Sequence, residues 1–417
     1  MFLGVESFAP KGRLAHSSIL LRDKLYYFGG SDKDIQSAKE LFYLDVSQPF
    51  DKPNIPWVFL TSIPFGSIWS TVSLNGINND SNIYLFGGMM IDDDYKDSFT
   101  SVIHQFNVNS STWSIPSVSG IAPERRREIK AVGNNGRLYI FGGNTFPTTG
   151  SPTFKFFNDM VIFDTIGLSW TNISSVDAPS KRALYTATLL TNGFIVYIGG
   201  YEFKEDGDVT VVDLKQIYLY DTNSLTWSLK VASFASPIEN RVTHTAVLAP
   251  DGKIIIYGGS KQFVEIVNAR AVPDIAVLDT RKEPFEWDEP KVTSNIGSVP
   301  SLTAHTADLV GYYMIVAFGN ITKYYSEPLS LRNSDIYIMD IRNFTWVNSF
   351  DIAEFKIDTP KSNNVMKIII ITISSMSSIG ILSICGILFY RWQKIRRENH
   401  AFEQKHIQNA VNNNVIG

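Results

Sequence analysis

Along most of the chain, short apolar runs alternate with polar breaks on a period of nearly sixty residues. The sharpest run ends in a glycine pair: LYYFGG at 25–30, IYLFGG at 83–88, LYIFGG at 138–143, IVYIGG at 195–200 and IIIYGG at 254–259, with MIVAFGN at 314–320 as a sixth copy. Taking Gly29, Gly87, Gly142, Gly199, Gly258 and Gly319 as the first glycines gives steps of 58, 55, 57, 59 and 61 residues. Gly30, Gly88, Gly143, Gly200 and Gly259 fill the second place, which the sixth copy gives to Asn320. After each pair comes a run closed by Asp45, Asn107, Asp164, Asp221, Asp279 or Asp340, and then a tryptophan: Trp57, Trp113, Trp170, Trp227, Trp287 and Trp346. A further apolar stretch precedes each pair, as in HSSILL at 16–21, YTATLL at 185–190 and HTAVLA at 244–249.

Short runs bounded by Gly, Asp and Asn read as strands. Glycine relieves crowding where the second strand ends, and Asp or Asn opens the turn into the tryptophan strand. Each unit therefore predicts four strands, and a four-stranded sheet repeated at a fixed period is the signature of radial closure. The expectation is an all-β, six-bladed β-propeller over 13–350. Two units depart from the pattern: the second opens with Trp69 and Ser70 where others carry Arg, and the sixth carries Asn320.

The order of glycine pair, aromatic and tryptophan, with Arg or His opening the unit, resembles the kelch repeat. With the hydrophobic segment near its end, the chain is similar to single-pass kelch-repeat proteins of fungi, often grouped with galactose oxidase-like or Rab-effector kelch proteins. Likeness to galactose oxidase implies copper held by Tyr and His, and a Tyr cross-linked to a cysteine. The single cysteine, Cys385, lies in the hydrophobic segment, so that cross-link has no partner in the propeller.

From Ile368 to Tyr390 run 23 residues without a charge, long enough as a helix to cross a hydrocarbon core of about 30 Å. The reading is a juxtamembrane linker over 351–365, a transmembrane α-helix over 366–390 and a short basic, then polar tail over 391–417. Arg391, Lys394, Arg396 and Arg397 on one flank, against Lys361 and Lys367 on the other, place the tail in the cytoplasm and the propeller outside or in a lumen. The opening MFLGVESFAPKGRLAHSS has no signal-peptide pattern, which leaves two expectations open, a start that lies further upstream or a tail-anchored arrangement with a cytoplasmic propeller. Sequons at Asn79, Asn109, Asn172, Asn320 and Asn343 favour the lumenal reading. Ser374 and Ser378 form a small-x-x-x-small pair within the span, and Cys385 is a palmitoylation candidate.

Composition adds limits. Of 417 residues, 44% are hydrophobic and 13% aromatic, which fits a large ordered β domain. The formal charge is −4; the last 27 residues carry five basic and two acidic groups, so the body stands at −7 with no concentrated basic face for nucleic acid. Without a cysteine before 385, the propeller has no disulfide and depends on core packing.

Candidate chemistry is sparse. His16, His244 and His305 stand 13, 14 and 14 residues before their glycines, a position that suits either packing between sheets or convergence on a metal. Packing is the simpler reading, so no metal and no cofactor is expected. Arg13, Arg126, Arg182 and Arg241 share another position, suited to pairing with neighbouring-blade carboxylates or carbonyls, or to an acidic ligand. No Gly-x-Ser-x-Gly or His-Glu-x-x-His occurs, so no catalytic residue is assigned. Loops between second and third strands are long, at 89–101, 144–157, 201–216, 260–272 and 320–333, where recognition is usually placed. They offer Asp92, Asp93, Asp94, Asp97, Glu202, Glu205 and Asp206 as charge, and Phe154, Phe156, Tyr324 and Tyr325 as aromatic anchors. The expectation is a non-catalytic, membrane-anchored module that binds a protein or a glycan. A cytoplasm-facing trafficking or polarity scaffold and a carbohydrate-active or redox enzyme are the alternatives.

Overall fold

The computed structural model describes residues 8–351 apart from 33–37, 78–80, 92–100, 152, 174–175, 205–206, 263–268 and 323–330. Residues 1–353 make one compact unit; 354–417 make a second, which lies outside the described residues together with the proposed span. Among the described residues no helix is long and apolar enough to cross a membrane.

The repeat unit is one antiparallel sheet, and six such sheets follow one another along the chain. Strands Ser17–Leu21, Lys24–Phe28, Glu40–Asp45 and Trp57–Ser62 make the first. The fourth, Thr186–Leu189, Phe194–Ile198, Gln216–Asp221 and Thr226–Val231, repeats that order. The fifth and sixth gain a short outer strand, Ser233–Phe234 and Thr293–Ser294, running parallel to their tryptophan strands. In every sheet the tryptophan faces the residue just before the closing Asp or Asn: Leu44, Phe106, Phe163, Tyr220, Leu278 and Met339. The closing carboxylate caps the turn between them, as where Asp164 Oδ1 accepts from the amides of Ile166 at 2.9 Å and Gly167 at 2.8 Å.

The middle strands of each sheet are buried on both faces, which explains their unbroken apolar runs. Val196, Ile198 and Leu219 of the fourth sheet, for example, pack on Ile254, Ile256, Leu278 and the fully buried Trp287 of the fifth. The first strands of the first and sixth sheets lie side by side, so the array closes on itself.

Two cycles of backbone hydrogen bonds carry that closure. Ala15, Trp69, Glu128, Leu184, Thr243 and Ala304 each precede a first strand, and all six adopt left-handed φ between 51° and 63°. Trp69 N–H donates to Ala15 O, Glu128 to Trp69, Leu184 to Glu128, Thr243 to Leu184, Ala304 to Thr243 and Ala15 to Ala304, at 2.9–3.2 Å. A second cycle runs from Gly30, Gly88, Gly143, Gly200, Gly259 and Gly319 N–H to the carbonyls of Ser67, Arg126, Arg182, Arg241, Leu302 and Arg13, at 2.7–3.1 Å.

The second cycle corrects the reading of the sixth repeat. Gly319 occupies the second glycine position, and Phe318, at φ 59°, takes the place of the first. Elsewhere that place excludes a side chain: a Cβ on Gly87 would stand 2.1 Å from Arg126 O, and one on Gly258 2.2 Å from Leu302 O. The same register corrects the second repeat, where Ser67, not Trp69, stands in the arginine position.

Phe318 fastens the junction between sixth and first sheets. Its buried ring lies within 6.1 Å of His16, Tyr27, Phe42 and Trp57, with the Arg13 guanidinium 5.6 Å away. A second clasp forms at the outer rim. Ser349–Phe350 pairs antiparallel with Phe50–Asp51, and the Phe50 and Phe350 rings stack at 5.1 Å.

Phe318→Gly would restore the repeat yet should destabilise the protein by about 2 kcal/mol. It forfeits about 3–5 kcal/mol of buried phenylalanine and recovers about 1–2 kcal/mol of left-handed strain. Urea denaturation of the purified chain measures this; an unchanged or higher midpoint would show that the junction does not depend on the ring.

Candidate functional site

Loops between second and third strands share one face with the connections between sheets, because each connection pairs with the stretch after the glycine pair. Lys181–Ala183 pairs with Tyr201–Phe203, Leu302–Thr303 with Asn320–Ile321, and Gly66–Ile68 with Met89–Ile91. Single bridges at Leu14 and Ser31, Arg127 and Asn144, and Val242 and Ser260 complete the collar.

On this face the loops of the third and fourth sheets join their aromatic rings. Phe146 meets Phe154 at 5.6 Å, Phe154 meets Phe156 at 4.4 Å, and Phe156 stacks on Phe203. Phe154 is 53% exposed and Phe146 37%. Phe157 turns inward beneath the Arg126 guanidinium, 3.8 Å away. Phe203 and Tyr201 pack towards Leu184 and Val242, as does Trp69. Trp69 also touches the cluster of Ala15, Ile68 and Ile91, so its indole spans the axis between the second sheet and the fourth and fifth.

Glu202 does not present free charge, since its carboxylate accepts from Ser180 Oγ at 2.9 Å and Thr210 Oγ1 at 3.0 Å. Asp92, Asp93, Asp94, Asp97, Glu205, Asp206, Tyr324, Tyr325 and the sequon at Asn79 lie outside the described residues. Asn109, Asn172 and Asn343 are exposed. Asn320 is buried and accepts from Arg332 at 2.8 Å, so that sequon offers no accessible amide.

The three histidines latch neighbouring sheets. His16 Nε2 meets Thr306 Oγ1 at 2.9 Å, His305 meets Thr245 at 2.8 Å and His244 meets Thr186 at 3.2 Å. In the fourth sheet Tyr185 replaces histidine, and its hydroxyl donates to Phe141 O of the third. Among the described residues no three His, Cys, Asp or Glu side chains converge as a metal site. The arginines hydrogen-bond chiefly within their own repeat: Arg13, Arg126 and Arg241 donate to the first-glycine carbonyls Gly29, Gly142 and Gly258 at 2.9–3.1 Å, and Arg182 to Ser180. Arg126 also forks onto Asp159 at 2.6 and 3.2 Å, and Arg13 pairs with Glu40.

Inside the collar runs a channel of about 150 Å³. Three charged residues in or beside it escaped the sequence reading: Glu128 and Lys130 line it, and Asp308 stands just behind the lining. Lys130 lines the channel where the other sheets carry Ser17, Thr71, Thr186, Thr245 and Thr306. Asp308 follows the lining residue Ala307 and accepts from Ser18 Oγ at 2.5 Å. Confinement by the surrounding channel wall lowers the Lys130 pKa although its side chain still reaches the lumen, and burial raises that of Asp308, each against the other's attraction. Superposing the repeats by the left-handed residue, not by the glycines, would have exposed both as departures.

Burial also pushes the His305 pKa down to about 3 and that of His104 to about 4, and holds His16 and His244 well below the usual range. These groups fold neutral while the unfolded chain titrates near 6.5, so stability is complete above pH 6.5 and falls as pH drops. By pH 5, His305 alone should withdraw about 2 kcal/mol. Melting temperatures taken between pH 7 and 5 should show this slope, shallower in His305→Gln; a flat profile would refute the neutral latches.

A family model described as the Attractin/LZTR1 beta-propeller matches residues 79–373. Kelch domain-containing protein 3 of Rattus norvegicus is 26% identical over 263 residues, 59% of this chain and 64% of that protein. The dynein alpha chain of the flagellar outer arm of Chlamydomonas reinhardtii is 25% identical over 70% of this chain, which spans only 6% of it. Tip elongation aberrant protein 1 of Schizosaccharomyces pombe is 32% identical over 36% of this chain and 12% of its own length. Among solved structures, that of YjhT matches with a TM-score of 0.59 and 14% identity over 81% of this chain and 98% of the other, a likeness of fold alone. With the glycine, tryptophan and left-handed positions in register through all six sheets, the chain is a kelch-repeat protein and belongs to the Attractin/LZTR1 β-propeller family.

Proposed function

We propose that this chain is a membrane-anchored, six-bladed kelch propeller that binds a protein partner, without catalysis, through the loop face around Phe146, Phe154, Phe156 and Phe203. The observation that carries the reading is the run of stacked rings ending in the exposed Phe154 and Phe146. Aromatic side chains are costly to leave in water, and they dominate the energetics of protein interfaces. Lys155, paired with Glu124 at 2.8 Å, gives this surface a polar rim. Anchoring rests on the uncharged run 368–390, and the basic residues after it favour a propeller outside the cytoplasm. The exposed asparagines 109, 172 and 343 accord with that side. A cytoplasm-facing scaffold is the second reading, favoured by likeness to a fission-yeast protein named for tip elongation.

Protease protection of the tagged chain in sealed membranes, with a glycosidase shift in parallel, separates the two sides: a protected, glycan-bearing propeller supports the first reading and an accessible, unglycosylated one the second. Replacing both Phe146 and Phe154 by Ser forfeits their ring contacts to each other, Phe156 and Arg127 and should cost about 1–3 kcal/mol while leaving the sheets folded. It should remove the partners recovered by cross-linking to the unaltered chain. An unchanged set of partners would sink the loop-face assignment.

A further inference from the structure

We propose that the channel is a binding site for a small zwitterion of amino-acid type, with Lys130 taking its anionic end and Asp308 its cationic end. The argument starts from symmetry. Position for position, Asp308 stands where the other sheets carry Ile19, Ser73, Val132, Thr188 and Val247, and Lys130 stands in a column of serine and threonine. The two departures fall on the third and sixth sheets, which face each other across the cycle. Both introduce charge, and the charges are opposite.

Neither charge is explained by packing. No ion pair within 4.0 Å joins Lys130 to Asp308 among the described residues, whereas Arg126 and Asp159 make a direct fork. Lys130 remains exposed to the lumen, and Asp308 is half-buried with Ser18 as its hydrogen-bond partner. Glu128, the other charged residue of the channel, is already matched by Arg127 at 3.1 Å and Asn144 at 2.7 Å. Opposite charges set across a narrow channel without touching leave room for a ligand that pairs with both. A molecule with a carboxylate and an ammonium does so in one piece.

Size and lining narrow the class. A cavity of about 150 Å³ holds a molecule of roughly benzene size, which admits a free amino acid and excludes an oligosaccharide or a nucleotide. The Trp69 indole, packed against two apolar clusters, gives the site an apolar wall.

Titration calorimetry of the purified full chain in detergent tests this, with glycine, L-alanine and L-serine as probes and acetate and methylammonium as half-molecules. At least one amino acid should bind saturably, at least tenfold more tightly than either half. Lys130→Thr and Asp308→Val, which install residues that other sheets carry, should each weaken binding at least tenfold. Their ligand-free melting temperatures should hold or rise, because each removes an unpaired charge; Lys130→Arg should bind within a few-fold of the unaltered chain. If Lys130→Thr fails to fold, Lys130→Gln gives the same comparison. The proposal fails if no amino acid binds up to about twenty times a millimolar Kd, if acetate alone binds as tightly, or if binding survives both charge-removing substitutions.

Discussion

Every sheet of this molecule is tied to the next by an amide that can reach only one way. At Ala15, Trp69, Glu128, Leu184, Thr243 and Ala304, left-handed φ turns the N–H along the circumference, onto the carbonyl of the equivalent residue in the preceding sheet. L-residues adopt that conformation at a cost of about 1–2 kcal/mol each. A buried amide left without an acceptor costs about as much or more. Because the six bonds form one cycle, tilting any sheet breaks two of them, so the array holds as a unit. The glycine cycle beside it depends on the same geometry, and the arginines that grip the first-glycine carbonyls hold the donors in place.

This explains which parts of the fold were legible in the sequence. The glycines and tryptophans declare themselves because their roles depend on side-chain identity: no Cβ fits at Gly87, and Trp287 fills its buried position with Nε1–H on Leu214 O at 2.8 Å. The left-handed residues are Ala, Trp, Glu, Leu, Thr and Ala, which share no chemistry, since only their backbones act. Closure could not be read for that reason. Spacing alone puts Gly319 in the first-glycine column, because it cannot tell a missing second glycine from a first one replaced by Phe318.

The loop face was legible only in part. Phe154 and Phe156 were found from their place in a long loop, but Phe203, which completes the stack, comes from a different repeat more than forty residues away. Glu202 has the composition of a recognition residue and the bonding of a structural one. The distinction rests on Ser180 and Thr210, which only the folded hairpin brings to it.

A scaffold so constrained restricts where sequence change can acquire function. Substitution at the cycle positions costs little as long as the backbone can stay left-handed, which is why Trp69 and Glu128 are tolerated at the mouth. Substitution in the column behind them meets a different test. There Thr186, Thr245 and Thr306 link one sheet to the next through histidine, while Ser17 and Thr71 bond the backbone of the next sheet, and a lysine cannot replace such a link without forfeiting it. The third sheet escapes the penalty because its neighbour offers Tyr185 in place of histidine, and that hydroxyl bonds Phe141 O instead. Lys130 is thereby released from the latch. A charge could enter the channel at the one junction among the six where the histidine column gives way to a tyrosine that needs no threonine, without loosening the ring that encloses it.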